Sequence, residues 1–152
     1  MYNLAELVKI SSTAFENEGF IPSEFTCDGQ DISPPLRFSD IPKETKSLAI
    51  IMDDPDAPIG NFTHWVEWNI PPRITEVAKG ERFDCVHGGT SFGNEAYGGP
   101  CPPSGTHRYF FKVYALDTKL DLKNGSSAKE LEKAMSGHIL SEATLMGKYS
   151  RK

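Results

Sequence analysis

A chain of 152 residues with 38% apolar and 24% charged residues fits one globular domain, long enough to bury roughly two thirds of the surface its unfolded form exposes. A net charge of −5, with the longest basic cluster at Lys148, Arg151 and Lys152, leaves no basic face to grip a phosphate backbone and argues against nucleic acid as a partner. No stretch approaches 18 apolar residues, and the amino terminus carries Glu6 and Lys9 instead of a secretory apolar core, which predicts a soluble, cytoplasmic protein with no integral membrane association.

Thirteen Gly and 11 Pro point to a loop-rich, mainly β protein. Asn3 to Phe15 alternates imperfectly and holds Val8, Ile10 and Thr13, which predicts an edge strand. From Gly19 to Pro42, Pro22, Pro34, Pro35 and Pro42 each remove a backbone donor and bias the preceding residue away from helix, so ordered loop or short strand is expected. Ser47 to Asp53 reads as a fully buried strand, Thr63 to Ile70 as a second and Arg108 to Leu116 as a third; together they form the predicted sheet centre. Glu81 to Gly105 has Gly or Pro at nine of its twenty-five positions, which predicts a long surface excursion of the kind that often carries function. One helix is marked by the capping-box pattern Ser127-Ala-Lys-Glu130, with Leu131 and Met135 four apart on one stripe and Gly137 as the stop. A final strand is expected around Ala143 and Leu145, with Gly147 read as a break. No repeat, linker or second domain is visible, so residues 1–152 read as a single domain.

The segment Met-Asp-Asp-Pro-Asp-Ala-Pro after the first central strand crowds Asp53, Asp54 and Asp56 into four positions. Such carboxylates repel one another unless donors or a cation face them, so this is either a solvated turn fixed by Pro55 and Pro58 or one wall of a site. A hairpin-like return through Gly60 brings His64 toward them. His107, Arg108 and Tyr109 enter the third strand from the glycine- and proline-rich loop, and alternation puts His107 and Tyr109 on one face and Arg108 on the other. Two imidazoles, a phenol and a carboxylate at strand ends suit a pocket for an anion or a polar head group. Ser91, Ser104, Thr63 and Thr106 could supply a nucleophile, but none sits in a Gly-x-Ser-x-Gly frame. His64, His107, Asp54 and Cys101 could ligate a metal, yet His-x-x-x-His and Cys-x-x-Cys spacings are absent; neither a metal nor a cofactor is expected.

Taken in order, "CDGQDISPPL", "DDPDAP", "HW" followed by "NIPP", "YGGPCPP" and "HRY" closely resemble the phosphatidylethanolamine-binding protein (PEBP) family, in particular its prokaryotic, Raf-kinase-inhibitor-like branch, over Phe25 to about Tyr149. The resemblance implies a PEBP-like antiparallel β-sandwich with one or two short helices and a small surface pocket for anions such as phosphate or a phospholipid head group. Carried over motif by motif, the pocket would be formed by Asp54, Pro58, His64, Gly99, Cys101, His107 and Tyr109, with Pro58 a rigid, cis wall element. The resemblance also implies that the carboxy-terminal helix closing the pocket in eukaryotic members is missing here. Gly88-Gly89-Thr90 replaces an asparagine-containing turn, which bears on loop shape and ligand size.

The function expected from this reading is non-enzymatic binding of a small anion or phosphorylated ligand such as phosphate or phosphoethanolamine. The alternative is a protein-directed role, as a serine-protease inhibitor or kinase modulator acting through Glu81 to Gly105. A hydrolase using His107 as base is the weakest reading, and the oligomeric state stays open. In this branch of the family, cysteines at the positions of Cys27 and Cys101 tend to occur together, which implies that their loops meet beside the pocket. A bridge there would close a loop of about 75 residues, worth roughly 4 kcal/mol by chain entropy. Cys85 would remain free, and a reducing compartment would favour thiols throughout.

Overall fold

The computed structural model describes residues 7–82 and 84–151. Among the described residues, eight strands form two antiparallel sheets. The small sheet has the order β1-β2-β5, with β1 Lys9–Ser11, β2 Leu36–Ser39 and β5 Glu76–Val77. The large sheet has the order β6-β4-β3-β7-β8, with β3 Ser47–Asp54, β4 Phe62–Ile70, β6 Val86–His87, β7 Thr106–Leu116 and β8 Ile139–Ser150. The expected amino-terminal edge strand is β1, at one edge of the small sheet; the part of that expectation on residues 3–6 lies outside the described residues. The proline-rich stretch holds only β2 and a single 3₁₀ turn at Ser23–Phe25.

The three apolar runs read from the sequence are the three inner strands of the large sheet, and the whole of β3 is buried. Its continuous hydrophobicity follows from cover on both faces. Leu48, Ile50 and Met52 point into the core shared with Leu36, Phe38 and Val77 of the small sheet. Ala49 and Ile51 alternate to the other face, where Val66, Trp68 and Leu116 meet Leu131 and Met135 of the helix. That helix, α1 (Ala128–Met135), begins on a complete capping box: Ser127 Oγ accepts from the Glu130 N–H at 3.1 Å and Glu130 Oε1 accepts from the Ser127 N–H at 3.0 Å. Burying Leu131 and Met135 contributes roughly 1.5 to 3 kcal/mol each, more than propensity gives a helix of this length. No helix among the described residues is long and apolar enough to cross a membrane.

Two details depart from the sequence reading. Gly147 does not break the last strand: β8 runs through it, paired with Tyr109 on β7. A side chain there would stand 2.5 Å from Ile21 Cγ1 and 2.8 Å from Phe15 Cε2, so the glycine lets the amino-terminal segment cross the sheet closely. Pro58 is not cis, because every peptide bond among the described residues is trans. Its rigidity comes from its fixed φ alone.

Candidate functional site

The acidic turn is resolved by β7. Antiparallel pairing of β3 with β7 runs from Ser47 opposite Leu116 to Asp53 opposite Phe110, so the carboxylates at the end of β3 arrive beside the start of β7. Each finds its own cationic or imidazole partner there. Asp53 accepts from Lys112 Nζ at 2.9 Å. The buried Asp54 takes His107 Nδ1 at 2.7 Å on Oδ2 and the Asp56 N–H at 2.7 Å on Oδ1. Asp56 holds Arg108 through two side-chain bonds, at 2.9 and 2.8 Å, and also accepts the Arg108 N–H. The Arg108 guanidinium accordingly holds the Asp56 carboxyl down at about 2. Alternation assigned these roles correctly: His107 and Tyr109 face inward, Arg108 outward.

His64 reaches the same place through a β-bulge. Met52 is opposite Trp65 and Asp53 opposite Thr63, so β4 carries one extra residue, His64, at this point. His64 Nδ1 donates to Gly98 O at 2.7 Å while the Gly98 N–H returns a bond to His64 O, tying β4 to the glycine-rich loop. Its ring lies edge-on to Tyr109 and Phe92, both 5.3 Å away between centroids. Burial lowers the His64 pKa, with the Gly98 bond and Asp54 opposing, so the imidazole is neutral at pH 7.

These groups open onto a cavity of about 280 Å³. Asp54, Pro58, His64, Cys101, His107 and Tyr109 all line it. The structure therefore brings six of the seven expected site residues together. Gly99 stands behind the wall: its N–H is given to Asp31 Oδ1 at 2.7 Å, and a side chain would collide with Phe25 O at 2.2 Å. With the Gly98 and Gly99 N–H groups both committed inside the protein, the loop backbone offers no donor at those positions.

Sequence reading missed the apolar half of the cavity. Phe62, Phe92, Ile59, Ala57 and Pro103 complete the lining. Phe62 and Ile59 stand inside the segment already singled out, and Phe92 inside the loop, but aromatic and aliphatic residues there gave no sign of facing a cavity rather than a core. The Tyr109 hydroxyl is buried with no hydrogen-bond partner, and burial beside Asp54 pushes its pKa far above the usual value. An orphaned buried hydroxyl on a cavity wall is the kind of group a ligand satisfies. Cys27 and Cys101 form a disulfide, with Cα atoms 5.4 Å apart, and Cys85 is free. The bridge fixes the Cys101 wall to the loop after the 3₁₀ turn, where the Cys27 N–H also donates to Pro100 O.

The chain is similar over nearly its whole length to proteins of one family. The family model for phosphatidylethanolamine-binding protein matches residues 11–150. A UPF0098 protein of Pyrococcus horikoshii is 51% identical over 95% of this chain and 77% of its own length, and a UPF0098 protein of Methanothermobacter thermautotrophicus is 51% identical over 95% of this chain and 99% of its own. Among solved structures, a PEBP homolog from Chlamydia trachomatis superposes with a TM-score of 0.94 at 40% identity, covering 97% of this chain and 99% of that one. YbcL of Escherichia coli, described as a member of the mammalian PEBP family, superposes with a TM-score of 0.87 at 29% identity, covering 95% and 99%. With the family model matched over residues 11–150 and a PEBP homolog superposing along nearly the whole chain, the chain belongs to the phosphatidylethanolamine-binding protein family.

Proposed function

We propose that this protein is a non-enzymatic binding protein whose pocket takes a small anion or the phosphorylated head group of a larger molecule. The observation that carries this reading is the state of the donors. His64 and His107 each anchor Nδ1 on the protein, to Gly98 O and to Asp54, which leaves Nε2 of each ring for a ligand. Tyr109 adds a hydroxyl without a partner. In the neutral rings Nε2 accepts; once protonated it donates, so an anion is held by the imidazolium forms. A cavity of about 280 Å³ with apolar walls holds a phosphate and a few carbons, and is small beside sites that enclose drug-sized ligands.

The same lining weighs against catalysis through a hydroxymethyl, amine or thiol nucleophile. No serine, threonine or lysine lines the cavity, and Cys101 is tied to Cys27. Isothermal titration with phosphoethanolamine tests the proposal: binding to the native chain should weaken at least about tenfold in Tyr109→Phe, the loss of a hydrogen bond to a charged group. Equal binding by both proteins would contradict it.

A protein-directed role is favoured by one observation, the rim. Ile59 is 90% exposed and Phe92 44% exposed, both at the cavity mouth, and Phe92 belongs to the long loop. Inhibition of a serine protease or modulation of a kinase through this rim is checked by assaying a panel of such enzymes with excess protein; full activity of every member would contradict it.

A further inference from the structure

At the β6 edge of the large sheet lies a second polar cluster that does not depend on the pocket or on its proposed ligand. Glu67 on β4 is the direct cross-strand partner of His87 on β6, and Cys85 is two residues before His87. Glu67 shares the face of Trp65, turned toward the core between the sheets, and Cys85 packs on that core. One ligand atom from each residue, carboxylate oxygen, thiol sulfur and imidazole nitrogen, lies within 4.8 Å of the other two.

We propose that Glu67, Cys85 and His87 form a binding site for a zinc-class divalent cation.

Three observations carry it. Glu67 is only 5% exposed, and while Oε2 meets His87 Nδ1 at 2.7 Å, Oε1 has no hydrogen-bond partner among the described residues. A carboxylate oxygen buried without a donor is costly, and a cation beside it removes the cost. The donor set of thiolate, imidazole and carboxylate is one that zinc accepts, with three protein ligands leaving a fourth tetrahedral position to water. Bonds of that type hold ligand atoms about 3.3 to 3.6 Å apart, so the cluster needs only small side-chain shifts to close on a metal. The backbone is also held in place: the His87 N–H donates to Asn124 Oδ1, His87 O accepts from Gly125, and the Gly88 N–H donates to Val66 O. The exposed Arg82 acts on Glu67 from outside but forms no ion pair with it among the described residues. On binding, the metal displaces two protons, the one on the Cys85 thiol and the one shared between His87 Nδ1 and Glu67 Oε2; both pass to solvent, the imidazole carries its single N–H on Nε2, and the freed Nδ1 and carboxylate oxygen face the cation.

Cobalt(II) titration of the chelator-treated full chain tests this directly. The expected result is one equivalent bound with a thiolate-to-cobalt charge-transfer band, displaced by zinc. Cys85→Ser should abolish the band, and His87→Gln and Glu67→Gln should each weaken uptake at least about tenfold. His87 stands on the edge strand, so His87→Gln decides the matter should a Cys85 or Glu67 variant fail to fold. Absence of the band at stoichiometric cobalt, or uptake unchanged in His87→Gln, would overturn the proposal and identify the cluster as a Glu67–His87 hydrogen bond within the sheet.

Discussion

Two buried carboxylate–imidazole pairs sit on the large sheet, and both have the same 2.7 Å contact: Asp54 with His107, and Glu67 with His87. They differ in what the second carboxylate oxygen does. Asp54 Oδ1 accepts the Asp56 N–H, whereas Glu67 Oε1 has no hydrogen-bond partner among the described residues. The first pair is complete within the protein and turns its spare imidazole nitrogen toward a cavity. The second is incomplete without something added. A short carboxylate–histidine contact therefore does not identify a site's role; the accounting of the remaining lone pairs does.

The comparison can be broken most forcefully at the pocket's covalent brace. Cys27→Ser opens a loop whose ends are 74 residues apart and should lower unfolding free energy by roughly 4 kcal/mol in a non-reducing urea titration. Next in size, Asp54→Ala leaves the buried His107 ring without its acceptor. It should cost about 3 kcal/mol and abolish the response to phosphate, whereas Glu67→Gln, in metal-free protein, should change stability by less than about 1 kcal/mol. A comparable loss in both variants would erase the distinction between a satisfied and an unsatisfied pair.

A smaller effect separates the two faces of β7. Arg108 is half exposed, and Arg108→Ala should lower stability by no more than about 1 kcal/mol while phosphate binding survives. Asp56, now held at about 2, should return toward the ordinary carboxylate range by NMR titration. The smallest effect is in the pH dependence of the free protein. The pKa of His64 is depressed in the folded state, so the unfolded chain binds its proton first and stability falls as pH drops below about 6.5 toward the folded value. That slope should shrink in His64→Phe, and a phosphate ligand should reverse its sign at His64 by favouring the imidazolium.

How much of this was legible in the sequence follows the range of the interactions. The inner strands were readable because burial on both faces leaves an unbroken apolar run, as in Ser47 to Met52, and the helix because its capping box is local. Six pocket residues were readable through their motifs, and the outward face of Arg108 through alternation. What escaped depends on chain segments meeting from a distance. Gly147 looked like a break because nothing local shows that Ile21 and Phe15 pass over it. Gly99 looked like a wall because its N–H could not be assigned to Asp31, 68 positions away. Glu67, Cys85 and His87 show no ligand spacing in sequence, since a cross-strand pairing between β4 and β6 creates the cluster.

The central claim, that Nε2 of both pocket imidazoles meets an anion, is tested most directly by nitrogen-15 NMR of the histidine rings during titration with inorganic phosphate on either side of pH 6.5. At the lower pH the Nε2 resonances of both His64 and His107 should shift as phosphate saturates, that of His64 toward the protonated imidazolium, with His87 and His138 unmoved, and affinity should weaken as pH rises. Resonances of His64 and His107 that stay in place at millimolar phosphate, or an affinity that is flat from about pH 5 to 8, would contradict it.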